Sequence, residues 1–163
     1  MKTLLIVWHS RTGGARAMAE AAAAGAEEEP LTRTRLLAAE QATGADVVDA
    51  DGYVFAMPEN LAALSGPMKD FFDRAYYPAL DRIAGRPYAL LVCAGTDGTN
   101  AVRQVARIAT GWRLRAVAEP LIVVTGAQTA DAILAPKTIA ADLLARCRDV
   151  GAALASGLAA GIF

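Results

Sequence analysis

The stretch Trp8-His9-Ser10-Arg11-Thr12-Gly13-Gly14-Ala15-Arg16 joins a run of apolar residues to an alanine-rich segment. It places two hydroxyls, two adjacent glycines and two arginines where a tight turn needs one glycine. Between a strand and the first turn of a helix, such residues suit an anion. Unpaired N–H groups and the positive end of the helix dipole would meet a phosphate there. Ser10 and Thr12 add hydroxyl donors, and glycines let the backbone come close. The same residues also describe a plain glycine-rich turn with a capping serine, so the rest of the chain must decide.

Two further stretches bear on the choice. Residues Pro58 to Ser65, within PENLAALSGPMKDFFDRAYYP, make a connection longer than the usual few residues. Ala94 to Asn100, AGTDGTN, is again small and polar after an apolar run. Three such loops on one edge of a sheet describe a single cradle. Other chemistries fit less well. No G-x-G-x-x-G follows the first apolar run, and no P-loop lysine is present. Met57 and Pro58 stand where a phosphate-receiving aspartate would be needed. Asp46, Asp49, Asp51 and Gly52 lack the spacing of a calcium loop. There is no G-x-S-x-G, and His9, the only histidine, falls in the wrong order for a hydrolase triad. His9 is therefore read as a turn residue. Cys93 and Cys147 lack metal-ligand spacing and read as small buried hydrophobes.

The elements that must position these loops follow from the hydrophobic pattern. Thr3–Trp8, Tyr53–Met57, Tyr88–Ala94 and Leu121–Thr125 are near-continuous apolar runs, as parallel strands covered on both faces require. Leu31–Leu37 alternates threonine and arginine and predicts a weak edge strand, followed by a short helix around Ala45–Ala50. Met68, Phe71, Phe72 and Ala75 form a helical stripe, with Ser65 as N-cap and Pro67 in the first turn. Val102, Val105, Ala106 and Ala109 form another, closed by Gly111. Ile139, Leu143, Cys147, Val150, Leu154 and Leu158 form a long last stripe after Pro136. Five βα units predict an α/β fold, a three-layer α/β/α sandwich around a five-stranded parallel sheet of order 2-1-3-4-5. Its ligand crevice lies beyond the carboxyl ends of strands 1 and 3.

At 163 residues the chain reads as one domain, residues 1–163, with 55% hydrophobic and 20% charged residues. A net charge of −1 and the lack of a basic stripe speak against nucleic acid. The apolar run at Thr3–Trp8 is too short for a signal peptide or a membrane span. A cytoplasmic protein in a reducing compartment is the expectation.

The turn SRTGG and the later SGPMKDFFDR together resemble the flavodoxin-like family of FMN-dependent NAD(P)H:acceptor reductases, quinone reductases among them, over Lys2 to about Leu158. The resemblance implies a flavodoxin-like fold and FMN as cofactor. It would place Ser10, Arg11, Thr12, Gly13, Gly14 and Ala15 at the FMN phosphate. Pro58, Glu59, Asn60 and Leu61 would edge the isoalloxazine ring, and Gly95, Thr96, Asp97 and Gly98 would close its other side. It departs from the family at Thr-Gly-Gly-Ala in place of the frequent Thr-Gly-Asn-Thr, and neither ring-edge loop holds a stacking aromatic. Tyr76, Tyr77 or Trp112 would supply one from a neighbouring subunit, and the apolar stripe extended by Phe72, Tyr76 and Tyr77 predicts a homo-oligomer. The flavin would carry hydride from NADH or NADPH to a small acceptor such as a quinone, with no obligatory catalytic side chain and no metal. Two alternatives remain at this stage. One is a flavodoxin-type one-electron carrier, which the absence of a strong acidic charge disfavours. The other is a flavin-free binding or structural protein on the same scaffold.

Overall fold

β1 (Lys2–Trp8) sends Leu4 and Ile6 into one apolar layer and Leu5 and Val7 into the other, all four fully buried. This two-sided burial is why the segment reads as an unbroken apolar run. In the computed structural model, which describes residues 1–163, the same division recurs along the sheet. β3 (Gly52–Asn60) turns Tyr53, Phe55 and Met57 one way and Val54 and Ala56 the other. β5 (Pro87–Ala94) turns Tyr88, Leu90 and Val92 one way and Ala89, Leu91 and Cys93 the other. The buried strand aromatics Tyr53, Phe55 and Tyr88 share one face of the sheet, and the other face is aliphatic.

β2 (Thr32–Ala38) pairs parallel with β1 along its whole length, Lys2 opposite Thr32 and Trp8 opposite Ala38. It forms one edge, as its alternating threonines and arginines predict. β1 pairs with β3, and β3 with β5, both parallel. The fifth position is filled in two pieces. β6 (Arg115–Ala116) pairs with the start of β5, and β7 (Leu121–Val124) pairs with its end. Counting these two as one interrupted strand gives the expected order 2-1-3-4-5.

α1 (Gly14–Ala26) and α6 (Ala141–Ala159) cover the aliphatic face. α2 (Gly44–Asp49), α3 (Gly66–Ala79) and α4 (Thr99–Gly111) cover the aromatic face. Cys147, Leu154 and Leu158 of the last stripe are buried, and so is Ile139 just before the helix. No helix is long and apolar enough to cross a membrane.

Three local expectations need revision, and one helix escapes the pattern. The connection from Pro58 to Ser65 is not a loop: β3 runs on to Asn60 and pairs antiparallel with β4 (Ala63–Leu64). Leu61 and Ala62 form the hairpin turn with φ of 50° and 59°, the two left-handed positions such a two-residue turn requires. Ser65 stands at the N-cap of α3 but makes no side-chain cap; its hydroxyl is 2.8 Å from His9 Nδ1. α4 ends at Gly111 as expected, but Gly111 is itself helical and the left-handed reversal comes at Arg113, with φ 57°. A short helix unmarked by any apolar stripe, α5 (Ala130–Leu134), lies between β7 and α6.

Candidate functional site

The carboxyl ends of β1, β3, β5 and β7 share one edge of the sheet, and the strand order reverses between β1 and β3. A parallel sheet leaves an open crevice at such a switch point. The first loop enters it directly. His9 N–H donates to the Ala56 carbonyl at 3.0 Å, which docks the end of β1 on β3. Burial pushes the His9 ring below its ordinary value of 6.5, against the pull of Glu40, with Arg11 acting in the same direction as burial. His9 is thus tied by its backbone to β3 and by its ring to Ser65 at the start of α3, which fits a turn residue.

Gly13 takes φ 94° at the N-cap of α1, and its N–H donates to Ser10 Oγ at 3.0 Å. The amides of Arg11, Thr12, Gly14, Ala15 and Arg16 make no hydrogen bond within the chain. They form a concave set of free donors at the positive end of a helix of 13 residues. Ser10 Oγ is used as an acceptor only, so its own hydrogen is free to donate outward. Arg11 is exposed and carries no ion pair, whereas Arg16 is engaged with Glu20 at 2.7 Å and lies over the Trp8 ring. The two glycines differ in purpose. A Cβ on Gly13 would meet nothing within 4 Å, so its demand is the backbone turn. A Cβ on Gly14 would lie 2.6 Å from Cys93 Sγ, so Gly14 is small to seat the loop on β5 rather than to admit a ligand.

Ser10, Arg11, Thr12, Gly14 and Ala15 line a recess of about 300 Å³. It opens into a larger cleft of about 650 Å³, and Thr12, Pro58, Asn60, Cys93 and Ile133 line both. The larger cleft also takes Glu59, Leu61, Gly95 and Thr96 into its walls. The structure thus brings eleven of the fourteen residues named from the sequence to one continuous depression: Ser10, Arg11, Thr12, Gly14, Ala15, Pro58, Glu59, Asn60, Leu61, Gly95 and Thr96. Gly13 does not line it. Asp97 accepts the Thr99 hydroxyl at 2.7 Å, and Gly98 packs on Ile122, so neither reaches the lining.

Glu59 does more than edge the cleft. Its carboxylate accepts from Gly98 N at 2.9 Å and Ala101 N at 3.0 Å, capping α4 from outside the helix. Gln104 Oε1 accepts from Leu64 N at 2.8 Å, and Asn100 Nδ2 donates to the Ala62 carbonyl. These ties fix the hairpin against α4, while the Leu61 side chain at its tip is fully exposed. Free amides remain on both banks, at Leu61 and Ala62 on one and at Gly95, Thr96 and Asp97 on the other.

Sequence reasoning missed Cys93, Thr125, Gln128, Ile133, Leu134 and Lys137, all of which line the depression. Thr125 was findable, because a fourth buried parallel strand must end on the same edge. Cys93 is buried, as expected of a small hydrophobe, but it also forms the floor common to both recesses. Burial raises its thiol, partly opposed by Lys137. Cys147 lies wholly in the core, its thiol pushed up to about 11 by burial. Trp112 cannot serve a neighbouring subunit. It is 6% exposed, packed edge-on against Phe55, Phe71 and Phe72. Tyr76 and Tyr77 are accessible, in the last turn of α3 at the opposite end of the sheet from the cleft.

The donor set fits a ligand with one phosphate at the recess and a flat apolar body across the cleft. A family model for NADPH-dependent FMN reductase matches residues 34–129, more than half of the chain. The chain belongs to the NADPH-dependent FMN reductase family. The match takes in the hairpin and the loop after β5, and begins beyond the first loop. Within this family setting, the chain is also 40% identical over 73 residues to a flavodoxin of Aquifex aeolicus, spanning 45% of this chain and 40% of that protein. A flavodoxin from the domain Archaea superposes with a TM-score of 0.80 at 17% identity, covering 96% of this chain and 98% of its own. A WrbA-like flavodoxin from Agrobacterium tumefaciens superposes at 0.75 with 18% identity and 99% coverage of both chains. At such identities these two structures speak for the flavodoxin-like fold alone, and they agree with the family in that respect.

Proposed function

We propose that this reductase-family chain binds FMN along the continuous depression and passes electrons from NADPH or NADH to a small acceptor of the quinone type. The observation that carries this reading is the continuity itself. A recess of free amides at the start of α1 opens, past Thr12 and Pro58, into a cleft with small and apolar walls. When bound, FMN supplies the two-electron chemistry. The chain's own residues bind and orient. The amides of Arg11, Thr12, Gly14, Ala15 and Arg16, the Ser10 and Thr12 hydroxyls and the Arg11 guanidinium would hold the phosphate dianion. Free N–H groups at Leu61, Ala62, Gly95 and Thr96 would favour negative charge gathering at the far end of the cleft. Small residues at Ala62 and Gly95 leave room above the floor for a second planar molecule, so that donor and acceptor would use the same space in turn.

A carrier docking on protein partners is the second reading, favoured by the flavodoxin relative. The cleft's charges speak for the reductase. Among the lining side chains Arg11 is the unengaged charge, because Glu59 is occupied by α4 and Lys137 by α5. A net charge of −1 gives the chain no strong acidic field to steer a partner. Exposed Tyr76, Tyr77 and Leu80 support self-association of the chain through the end of α3.

The test is anaerobic mixing of FMN-loaded protein with NADPH and, separately, NADH. Rapid bleaching of the flavin absorbance, reversed by a quinone, is the expected result. Failure to bleach with either nucleotide, while dithionite reduces the protein in two separate one-electron stages, selects the carrier.

A further inference from the structure

The segment from Gly126 to Lys137 crosses the depression, and nothing in the family resemblance gave it a role. Its two ends are bonded to two different site loops. Gly126 N–H donates to the Gly95 carbonyl at 2.8 Å, and Lys137 N–H donates to the Thr12 carbonyl at 2.8 Å. Between them lies α5, five residues with none buried. So short a helix has no stability of its own and persists only where other groups hold it. Thr129 Oγ1 caps its start by accepting from Ala132 N at 3.2 Å. Lys137 Nζ caps its end, donating to the carbonyls of Ala132 at 2.7 Å, Ile133 at 3.0 Å and Ala135 at 2.5 Å. The Lys137 ammonium is thereby committed to α5 rather than offered to an anion.

What this scaffold presents is apolar. Ile133 is 52% exposed and Leu134 is 73% exposed, and both border the depression. Ile133 borders both recesses, and Leu134 borders the phosphate end. Any molecule reaching from one recess to the other must pass Ile133.

We propose that Ile133 and Leu134 are cofactor-contacting residues, a clamp that Lys137 holds over the middle of the bound molecule. The inference rests on the FMN reading given above. Both side chains remain wet while the depression holds only water and lose that exposure when a ligand fills it, a gain available only in the complex. Such a contact lies on the way out of the site, so its main effect falls on release.

The experiment compares wild type with I133A/L134A and, separately, with Lys137→Met, using FMN itself as the probe. FMN fluorescence quenching gives Kd, dilution into excess apoprotein gives the release rate, and the melting point of each apoprotein is recorded. For I133A/L134A we expect an unchanged apoprotein melting point, because the side chains are exposed, and Kd raised about tenfold or more through faster release. Lys137→Met should move both quantities in the same direction and speed proteolysis between Gly126 and Lys137. Unchanged Kd and release rate in a double variant whose wild type binds FMN would overturn the clamp and leave the FMN reading intact. A drop in the apoprotein melting point would also overturn it, by showing the two residues to be structural. Wild type that binds no FMN would overturn both.

Discussion

The two helical layers of this molecule are built on opposite principles. Beneath α2, α3 and α4 the sheet is met by aromatic volume. Phe55 lies 5.0 Å from the Phe72 ring, 5.8 Å from Tyr53 and 6.4 Å from Trp112. Beneath α1 and α6 the contact is made by absence of volume. A Cβ on Gly151 would lie 1.9 Å from the Ala22 carbonyl oxygen, and one on Gly25 would lie 2.0 Å from that of Arg148. Ala15, Ala19, Ala22 and Ala23 complete a face on which two helix backbones touch. The first layer resists by filling space and the second by leaving none to fill. The difference matters because α1 carries the free amides of the phosphate recess, so that recess is located by backbone contact rather than by adjustable side chains.

The largest effect should come from emptying the aromatic layer. Phe55→Ala is expected to cost about 3–5 kcal/mol of stability in denaturant unfolding, since five rings surround the cavity it leaves. In protein kept folded by low temperature, FMN affinity should change little. Gly151→Ala tests the other layer. Helix propensity alone would favour alanine by about 1 kcal/mol, but the clash should reverse the sign and cost about 1–3 kcal/mol. Displacement of α1 should also weaken FMN binding, which Phe55→Ala does not. A Gly151→Ala protein as stable as wild type would be fatal to the close-packed description of this layer.

The smallest effect concerns the polar tie across the top of both layers, His9 to Ser65. Burial holds the folded His9 ring below its ordinary value of 6.5, so the unfolded chain takes up the proton first. Its contribution to stability is complete above that value and is lost as pH falls through the depressed folded one. Unfolding free energy measured between about pH 7.5 and 5.5 should therefore fall less steeply in His9→Gln than in wild type. Parallel pH profiles would remove His9 from the account.

These contrasts also explain how far the sequence could be read. β1 and β5 are legible because a strand buried on both faces is apolar at each position. The extension of β3 through Glu59 and Asn60 is not legible, because two polar residues end the apolar run while the ladder continues. Their polarity reflects a partner, α4, that only the tertiary fold supplies. The recess at Ser10–Ala15 shows in residue types alone, whereas the reason for Gly14 lies 79 residues further along, at Cys93. Nothing in a helical stripe tells Gly151 from any other small residue, since close approach depends on what lies opposite. α5 escapes because its apolar pair borders a cleft and not a core, and so makes no periodic pattern. Trp112 misleads for the opposite reason: a lone aromatic near a helix end looks available until the rings around it are known.

The interrupted fifth position of the sheet has a consequence for the molecule's behaviour at high concentration. Between β6 and β7 the chain runs Val117-Ala118-Glu119-Pro120, leaving the outer side of β5 with only two short partners. An incoming strand needs a continuous row of N–H and C=O groups to add to a sheet. Here it would meet two residues, a gap ended by a proline without an N–H, and then four more. The opposite edge, β2, is continuous but carries the exposed Arg33, which repels its own copy laid alongside in register, while Arg35 is paired with Asp46. Both margins of the sheet are thus poor templates for fibre growth. Copies of this chain that meet at high concentration are steered away from cross-β stacking by the same break that lets β7 deliver Thr125 to the cleft.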